Sequence, residues 1–398
     1  MTLFGPLELR NDRSVQSKTC PVVRNVYFES HQIQGANMMT HDYFPIKRPG
    51  LAQHVNLSSP DGVRGLYYCR GLGKTVAVCG TQVYLVSGGV ATNISNPNFM
   101  YSATRPYFTW NGKYLFVSDG RNIFYTDGTQ ILQMVQNGPT AINSLDYIDD
   151  YILAGTSDGM RFSQNLDGLT WPTANLIRPR SRAGGLVAVK TAWRSVLMAT
   201  SDNVESWYDS GDSSVFTRVE QYTLERGLVS SDAFLMANNL LYMVDTDRNV
   251  CEMQGNTPKI ISLPISPALR AAKTLSDCSL SYLNPGGKQW ILIQLPSANL
   301  SYVFDIESQS WYQFTSLDAT NNIDNRFIGQ CSCYDEASGS LLLGSASGGK
   351  IFYMSNYVYQ DDGNPINCSI ETAPIDHGTL RRKRSTSLLI ELQRGIGQ

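Results

Sequence analysis

The chain has 398 residues, 42% of them hydrophobic, with a mean hydropathy of -0.21, enough to bury a large core in one all-β domain or in two or three smaller ones. A formal net charge of -2, with only 17% charged residues, argues against a general nucleic-acid binder, whose affinity comes mainly from neutralising phosphates. No stretch approaches the roughly 18 apolar residues of a membrane span, and the segment Met1 to Arg13 holds no apolar run long enough for a signal peptide.

What dominates instead is 33 Gly, 21 Tyr and 14 Phe. Aromatics favour a pleated, half-buried surface and glycine marks tight turns, so the balance points to strands and turns. Residues 1–60 carry no repeat; they contain His31, Met38, Met39 and His41, then Phe44-Pro45-Ile46-Lys47-Arg48-Pro49-Gly50-Leu51. This stretch is read as an extended N-terminal arm.

Residues 61–358 repeat one unit seven times: an apolar strand, a turn of Gly, Asp, Asn or Ser, and a second strand carrying Tyr, Phe or another apolar residue. The turns supply the positive φ that a tight hairpin needs. The first is Thr75–Cys79, turning at Gly80-Thr81-Gln82 into Val83–Val86. Tyr114–Val117 turns at Asp119-Gly120 into Ile123–Tyr125, and Tyr151–Ala154 at Ser157-Asp158-Gly159 into Met160–Phe162. Ser195–Met198 turns at Ser201-Asp202-Asn203 into Val204–Tyr208, and Leu240–Val244 near Asp247-Arg248-Asn249 into Val250–Met253. Trp290–Ile293 turns at Pro296-Ser297-Ala298 into Ser301–Phe304, and Leu341–Leu343 at Ser347-Gly348-Gly349 into Ile351–Met354.

From Gly120 the turns follow at intervals of 39, 43, 46, 50 and 50 residues. A four-stranded propeller blade needs about 40–50 residues, whereas two stacked β-sandwiches would impose no such steady hairpin. The first strand of each hairpin is apolar at nearly every position, as for a strand packed on both faces. The fold class is therefore all-β, a β-propeller of six to seven blades, with Pro267–Thr274 as its one short helical turn. Residues 359–398 are expected to form a C-terminal β segment. It turns at Asp361-Asp362-Gly363-Asn364-Pro365 and later carries the basic run Arg381-Arg382-Lys383-Arg384.

No chemistry-bearing constellation emerges, and neither catalytic residues, metal nor cofactor is expected. Gly71-Leu72-Gly73-Lys74-Thr75 ends like a phosphate-binding loop, but Tyr68 stands where its first Gly is needed and a strand follows where a helix is required. Gly344-Ser345-Ala346-Ser347-Gly348 has Ala at the nucleophile position of a serine elbow. The four histidines, His31, His41, His54 and His377, all lie outside the repeats. The eight cysteines are scattered, mostly in apolar strands, and read as buried free thiols; Cys331 and Cys333 share a strand face without a second ligand pair.

The strongest enzymatic reading is Ser163-Gln164-Asn165-Leu166-Asp167-Gly168-Leu169-Thr170-Trp171, which is similar to the Asp-box turn of sialidase-like propellers. There Asp167, Gly168, Thr170 and Trp171 would serve structure. A glycosidase needs paired acids, and Asp202, Glu205 and Asp245 each sit at or beside a hairpin turn, where an acid is expected anyway. Two basic groups are candidates for contact with a DNA backbone or with another subunit: Arg381, Arg382, Lys383 and Arg384, and Arg178, Arg180 and Arg182. The sequons at Asn56, Asn93, Asn299 and Asn367 carry little weight without a secretory signal.

Four segments, in order, resemble the packaged-DNA stabilization proteins, or tail hubs, of short-tailed bacteriophages: Arg48-Pro49-Gly50-Leu51, Met160 to Arg180, Ala192-Trp193-Arg194-Ser195-Val196-Leu197 with Val204 to Tyr208, and Trp290 to Pro296 with Tyr302-Val303-Phe304-Asp305 and Trp311. The resemblance spans roughly residues 45–315. It implies a non-enzymatic virion tail protein, assembled in the host cytoplasm as a six-fold ring of identical subunits below the portal and its adaptor. Such a ring extends the channel, helps retain packaged DNA without sequence readout, and gives a tail needle or tailspikes a place to attach. The family generally continues past the propeller with further β-structure, so the expectation is either a shortened tail or a portion of a longer protein. A carbohydrate-binding or glycoside-hydrolysing propeller and a cellular scaffold are the alternatives.

Overall fold

The structure, a computed structural model, describes residues 22–34, 39–99, 105–181, 184–212, 214–255 and 257–371. Each of the seven expected hairpins forms the middle of four antiparallel strands. The innermost strands of blades one to seven are Val63–Cys69, Tyr107–Trp110, Ile142–Ile148, Leu186–Ala192, Phe234–Ala237, Ser279–Leu283 and Gly329–Asp335. Each neighbours the next, and the seventh neighbours the first, so seven blades surround one axis.

The strongly apolar strand is the second in each blade. Lys74–Cys79, Tyr151–Thr156, Ser195–Thr200, Leu240–Val244 and Ser340–Ser345 are buried at every position after the first, and Leu115–Ser118 and Trp290–Leu295 throughout. A paired strand lies on either side and a neighbouring blade on either face, so polar alternation is absent. The innermost strands mix buried and half-buried positions, with one shared pattern in blades one, three and four, because one face meets the central space. Blades one, three, four and seven also share a bulge at the start of that strand. The side chains at two of these bulges stitch blades together: Asn143 donates to the Leu186 carbonyl (2.7 Å) and Gln330 to the Val63 carbonyl (2.8 Å). The expected helical turn is present as Ser266–Ala271, with Pro267 in its first turn.

The two ends of the chain close the ring. Blade seven takes its fourth strand, Gly50–Asn56, from the region read as an extended arm; it pairs antiparallel with Lys350–Ser355. Gln360–Asp361 then runs parallel to Gly50–Asn56. Blade six is widened in the same way by Val23–Arg24, parallel to Ser310–Gln313, and by Ser369–Ile370. Between these pieces Val26–Gln34 and Met39–Lys47 form a hairpin, so this part of the arm is paired with itself. Its root packs on blade six, Tyr27 against Trp290 (5.2 Å between rings) and Phe28 against Tyr312 (6.4 Å). Pairing between residues some 300 apart leaves no local periodicity, which is why the repeat alone did not reveal it.

Candidate functional site

The closure is fastened by the Arg-Pro-Gly-Leu segment. Arg48, 1% exposed, donates from Nε to Asn25 Oδ1 (2.8 Å), from Nη2 to the Thr315 carbonyl (2.7 Å), and from Nη1 and Nη2 to the two oxygens of Asp361 (3.0 and 2.5 Å). Its guanidinium also lies over the rings of Phe327 and Phe314, at 4.8 and 5.4 Å. Asp361 takes a further bond from Ser316, and Asn25 bonds Thr315 and the Asn367 carbonyl. Gly50 is required by close approach: a Cβ there would stand 2.5 Å from the Val358 and Gln360 carbonyl oxygens.

The second constellation surrounds Glu205, on the third strand of blade four and fully buried. Its Oε1 accepts from the backbone N–H of Arg180 (2.8 Å) and from the N–H and hydroxyl of Ser181 (2.5 Å each). Oε2 accepts from the Trp207 indole (3.1 Å), with Arg218 Nε at 3.7 Å. Burial alone would raise this carboxyl, but the bonds from Ser181 and Arg180, with the charge of Arg218, hold it below the ordinary 4.5. Glu205 is thus the anchor of the arginine loop. Arg178 and Arg180 themselves are exposed at the margin of blades three and four, Arg180 lying 5.5 Å over the Trp207 ring.

A third constellation lies on the axis. Blades two and five are separated by two blades on one side and three on the other, yet Tyr107 and Ser231 share a hydrogen bond of 2.8 Å between their hydroxyls. Beside it, Arg105 Nη2 donates to Ser279 Oγ of blade six (2.7 Å) and the Gln330 carbonyl of blade seven (2.6 Å), with Asp232 3.8 Å from Nε. All of these residues lie at or just before the starts of innermost strands, so a polar bridge spans one mouth of the central space. Burial pushes the Asp232 carboxyl up, against the pull of Arg105.

The family profile described as Bacteriophage P22 Gp10, beta-propeller, matches residues 18–358, the seven blades included. The chain belongs to this family of phage tail-hub propellers. No curated protein matches it. Among solved structures it is similar to the extracellular domain of the putative one component system BT4673 from B. thetaiotaomicron (12% identity, 77% of this chain and 40% of that one, TM-score 0.53). A structure described as a putative hybrid two component system BT4673 from the same organism gives 12%, 78%, 40% and 0.53. The WD40 β-propeller domain of Doa1 gives 11% identity over 77% of this chain and 97% of that one, with a TM-score of 0.49. The chain spans about two fifths of the length of the two BT4673 structures. At these identities the likeness concerns the propeller fold alone.

The remaining candidate residues of this tail-hub propeller lie mostly in turns and ion pairs. The Asp-box-like segment is a turn between the third and fourth strands of blade three: Asp167 accepts from the Thr170 N–H (2.9 Å), and the Trp171 indole donates to the Gly168 carbonyl (3.1 Å). Gly168 has φ +69°, and a Cβ on it would meet Phe116 at 2.6 Å. Of the three acids weighed for glycoside chemistry, Glu205 is committed as above. Asp245 is held by Arg226 (2.5 Å) and Asn249, and Asp202 lies exposed at its turn. Gly71-Leu72-Gly73 turns between the first two strands of blade one, as expected for an inter-strand loop.

All seven described cysteines are unpaired, five of them buried, and burial pushes the thiols of Cys251 and Cys278 up to about 12. Among the described residues no group of three or more His, Cys, Asp or Glu is placed to hold a metal, and no helix is long and apolar enough to cross a membrane. Arg182, Arg381, Arg382, Lys383 and Arg384 lie outside the described residues. Sequence reasoning missed Arg105, Tyr107, Asp232 and Asp361, and treated Glu205 as a turn acid. The signal available for Glu205 was an acid between Val204 and Trp207 on the second strand of a hairpin.

Proposed function

We propose that the chain is a structural tail hub: a propeller subunit that assembles as a six-fold ring beneath the portal and its adaptor, extends the channel, helps retain packaged DNA, and anchors a tail needle or tailspikes. Membership of the Gp10 propeller family carries this reading. The polar bridge at the axis supports it and gives it a geometric form. With Tyr107, Ser231, Arg105 and Asp232 meeting across the mouth, one propeller is better suited to a building block than to a conduit, so the passage for DNA would lie between copies. Pieces of both chain ends lie side by side on blades six and seven, where a neighbouring subunit would cover their edges.

The test is the mass of the purified protein by native mass spectrometry, with and without its adaptor. A hexamer, or a monomer that closes into a ring on the adaptor, is expected. A stable monomer that ignores the adaptor and binds a sugar would overturn the proposal.

A further inference from the structure

A groove of about 520 Å³ opens between blades three and four at the arginine loop. The apolar floor it presents is the half-buried Ile177 and Val215, beside the buried Phe162 and Phe216, and its rim includes Arg178 and Arg180. Sites that enclose a small ligand or a few side chains span about 300–1,000 Å³.

Two features mark this groove as built for a partner. Arg178 and Arg180 are both exposed, Arg180 rests on Trp207, and among the described residues neither guanidinium has an ion pair with a carboxylate. The loop bearing them is nonetheless fixed, because the buried Glu205 takes three of its donors. Burying a carboxylate is costly unless its bonds are satisfied, and three of the bonds to this one hold the backbone and Ser181 at the exposed Arg180. A surface loop held so firmly has already lost the entropy that binding would otherwise remove.

We infer that the groove receives an extended acidic segment of a second polypeptide, one apolar side chain seated on the floor and flanking carboxylates on Arg178 and Arg180. Guanidinium forks match carboxylates in two-point bonds. A nucleic acid fits less well. Trp207, Phe162 and Phe216 are buried at 2%, 6% and 3% exposure, so they offer no stacking platform for bases. Two arginines fall short of the phosphate contacts that hold a duplex, and a phosphate backbone has nothing to place on an apolar floor.

The inference rests on the hub reading only in requiring that the protein meet other chains. The experiment uses the full chain and a fluorescein-labelled nonapeptide of alternating glutamate and phenylalanine, followed by anisotropy. A lysine–phenylalanine peptide and a 20-base-pair duplex serve as comparisons. Saturable binding of the acidic peptide alone is expected, weakened about tenfold or more by Arg178→Glu with Arg180→Glu. It should be unchanged by Arg270→Glu with Lys273→Glu, two exposed positions elsewhere. Unchanged thermal melting shows that each variant is folded; should the charge reversal unfold the chain, Arg178→Gln with Arg180→Gln replaces it. No saturable peptide binding, or binding that survives loss of both arginines, overturns the inference. Duplex binding lost in the same variant would assign the groove to nucleic acid instead. None of these outcomes depends on whether the chain forms a ring, so the two readings fail separately.

Discussion

Arg48 and Asp361, 313 residues apart in the chain, form a two-point ion pair with side-chain exposures of 0% and 3%. Through it the strand that completes blade seven, the segment that follows that blade and the Thr315 backbone are held at one point. The ring is closed by hydrogen bonds, and this pair is their buried centre.

Removing one partner leaves an uncompensated charge in an apolar setting. Asp361→Ala is expected to lower stability by about 3–5 kcal/mol, measured as a shift in the urea unfolding midpoint. Arg48→Met combined with Asp361→Ala should cost clearly less than the two single changes added together, because no lone charge remains. Additive losses would show that the pair is not the centre of the closure.

Glu205 makes stability depend on acid in a definite direction. Its folded value lies below the ordinary 4.5, so the carboxylate contributes stability that is fully present above that pH and is lost as pH falls through the folded value. Glu205→Gln should therefore be destabilised relative to the parent at pH 7, and the gap between the two should narrow below about pH 4. A gap of constant size across that range would mean that ionisation of Glu205 is not what secures the arginine loop.

The bridge across the axis can be taken apart in steps. Tyr107→Phe deletes one neutral hydrogen bond and should cost about 1 kcal/mol, with Ser231→Ala adding little once the hydroxyl of Tyr107 is gone. Arg105→Ala removes charged donors to blades six and seven and should cost more, about 2–3 kcal/mol. Denaturant titration of Tyr107→Phe, Ser231→Ala, their combination and Arg105→Ala reads these differences. Independent effects for Tyr107 and Ser231 would contradict a direct bond between blades two and five.

Thiol chemistry reports the packing of the blades. In a Cys20→Ser background, iodoacetamide at neutral pH should modify Cys368, which is exposed, and leave Cys69, Cys79, Cys251, Cys278 and Cys331 unmodified until the protein is unfolded. Peptide mass mapping distinguishes the sites. Rapid native labelling of Cys251 or Cys278 would show that blades five and six open locally.

Much of the architecture was legible from short-range pattern. Six hairpins lie where the Gly, Asp and Asn turns place them and one where Pro296-Ser297-Ala298 does, because such turns are decided by a few adjacent φ angles. The apolar strands such as Trp290–Leu295 announced burial on both faces. Arg48-Pro49-Gly50-Leu51 was visible as a feature of the family, and Asp167 to Trp171 as a turn.

What only the tertiary structure decided is which distant residues meet. Blade seven is completed by Gly50–Asn56 crossing to Lys350–Ser355, a pairing that no window of sequence contains. The same holds for Arg48 with Asp361, Tyr107 with Ser231, and Glu205 with the arginine loop. Strand and turn preferences act over a few neighbouring residues and are written into the sequence, whereas ring closure and its buried polar contacts arise only when the packed blades bring the two ends of the chain together.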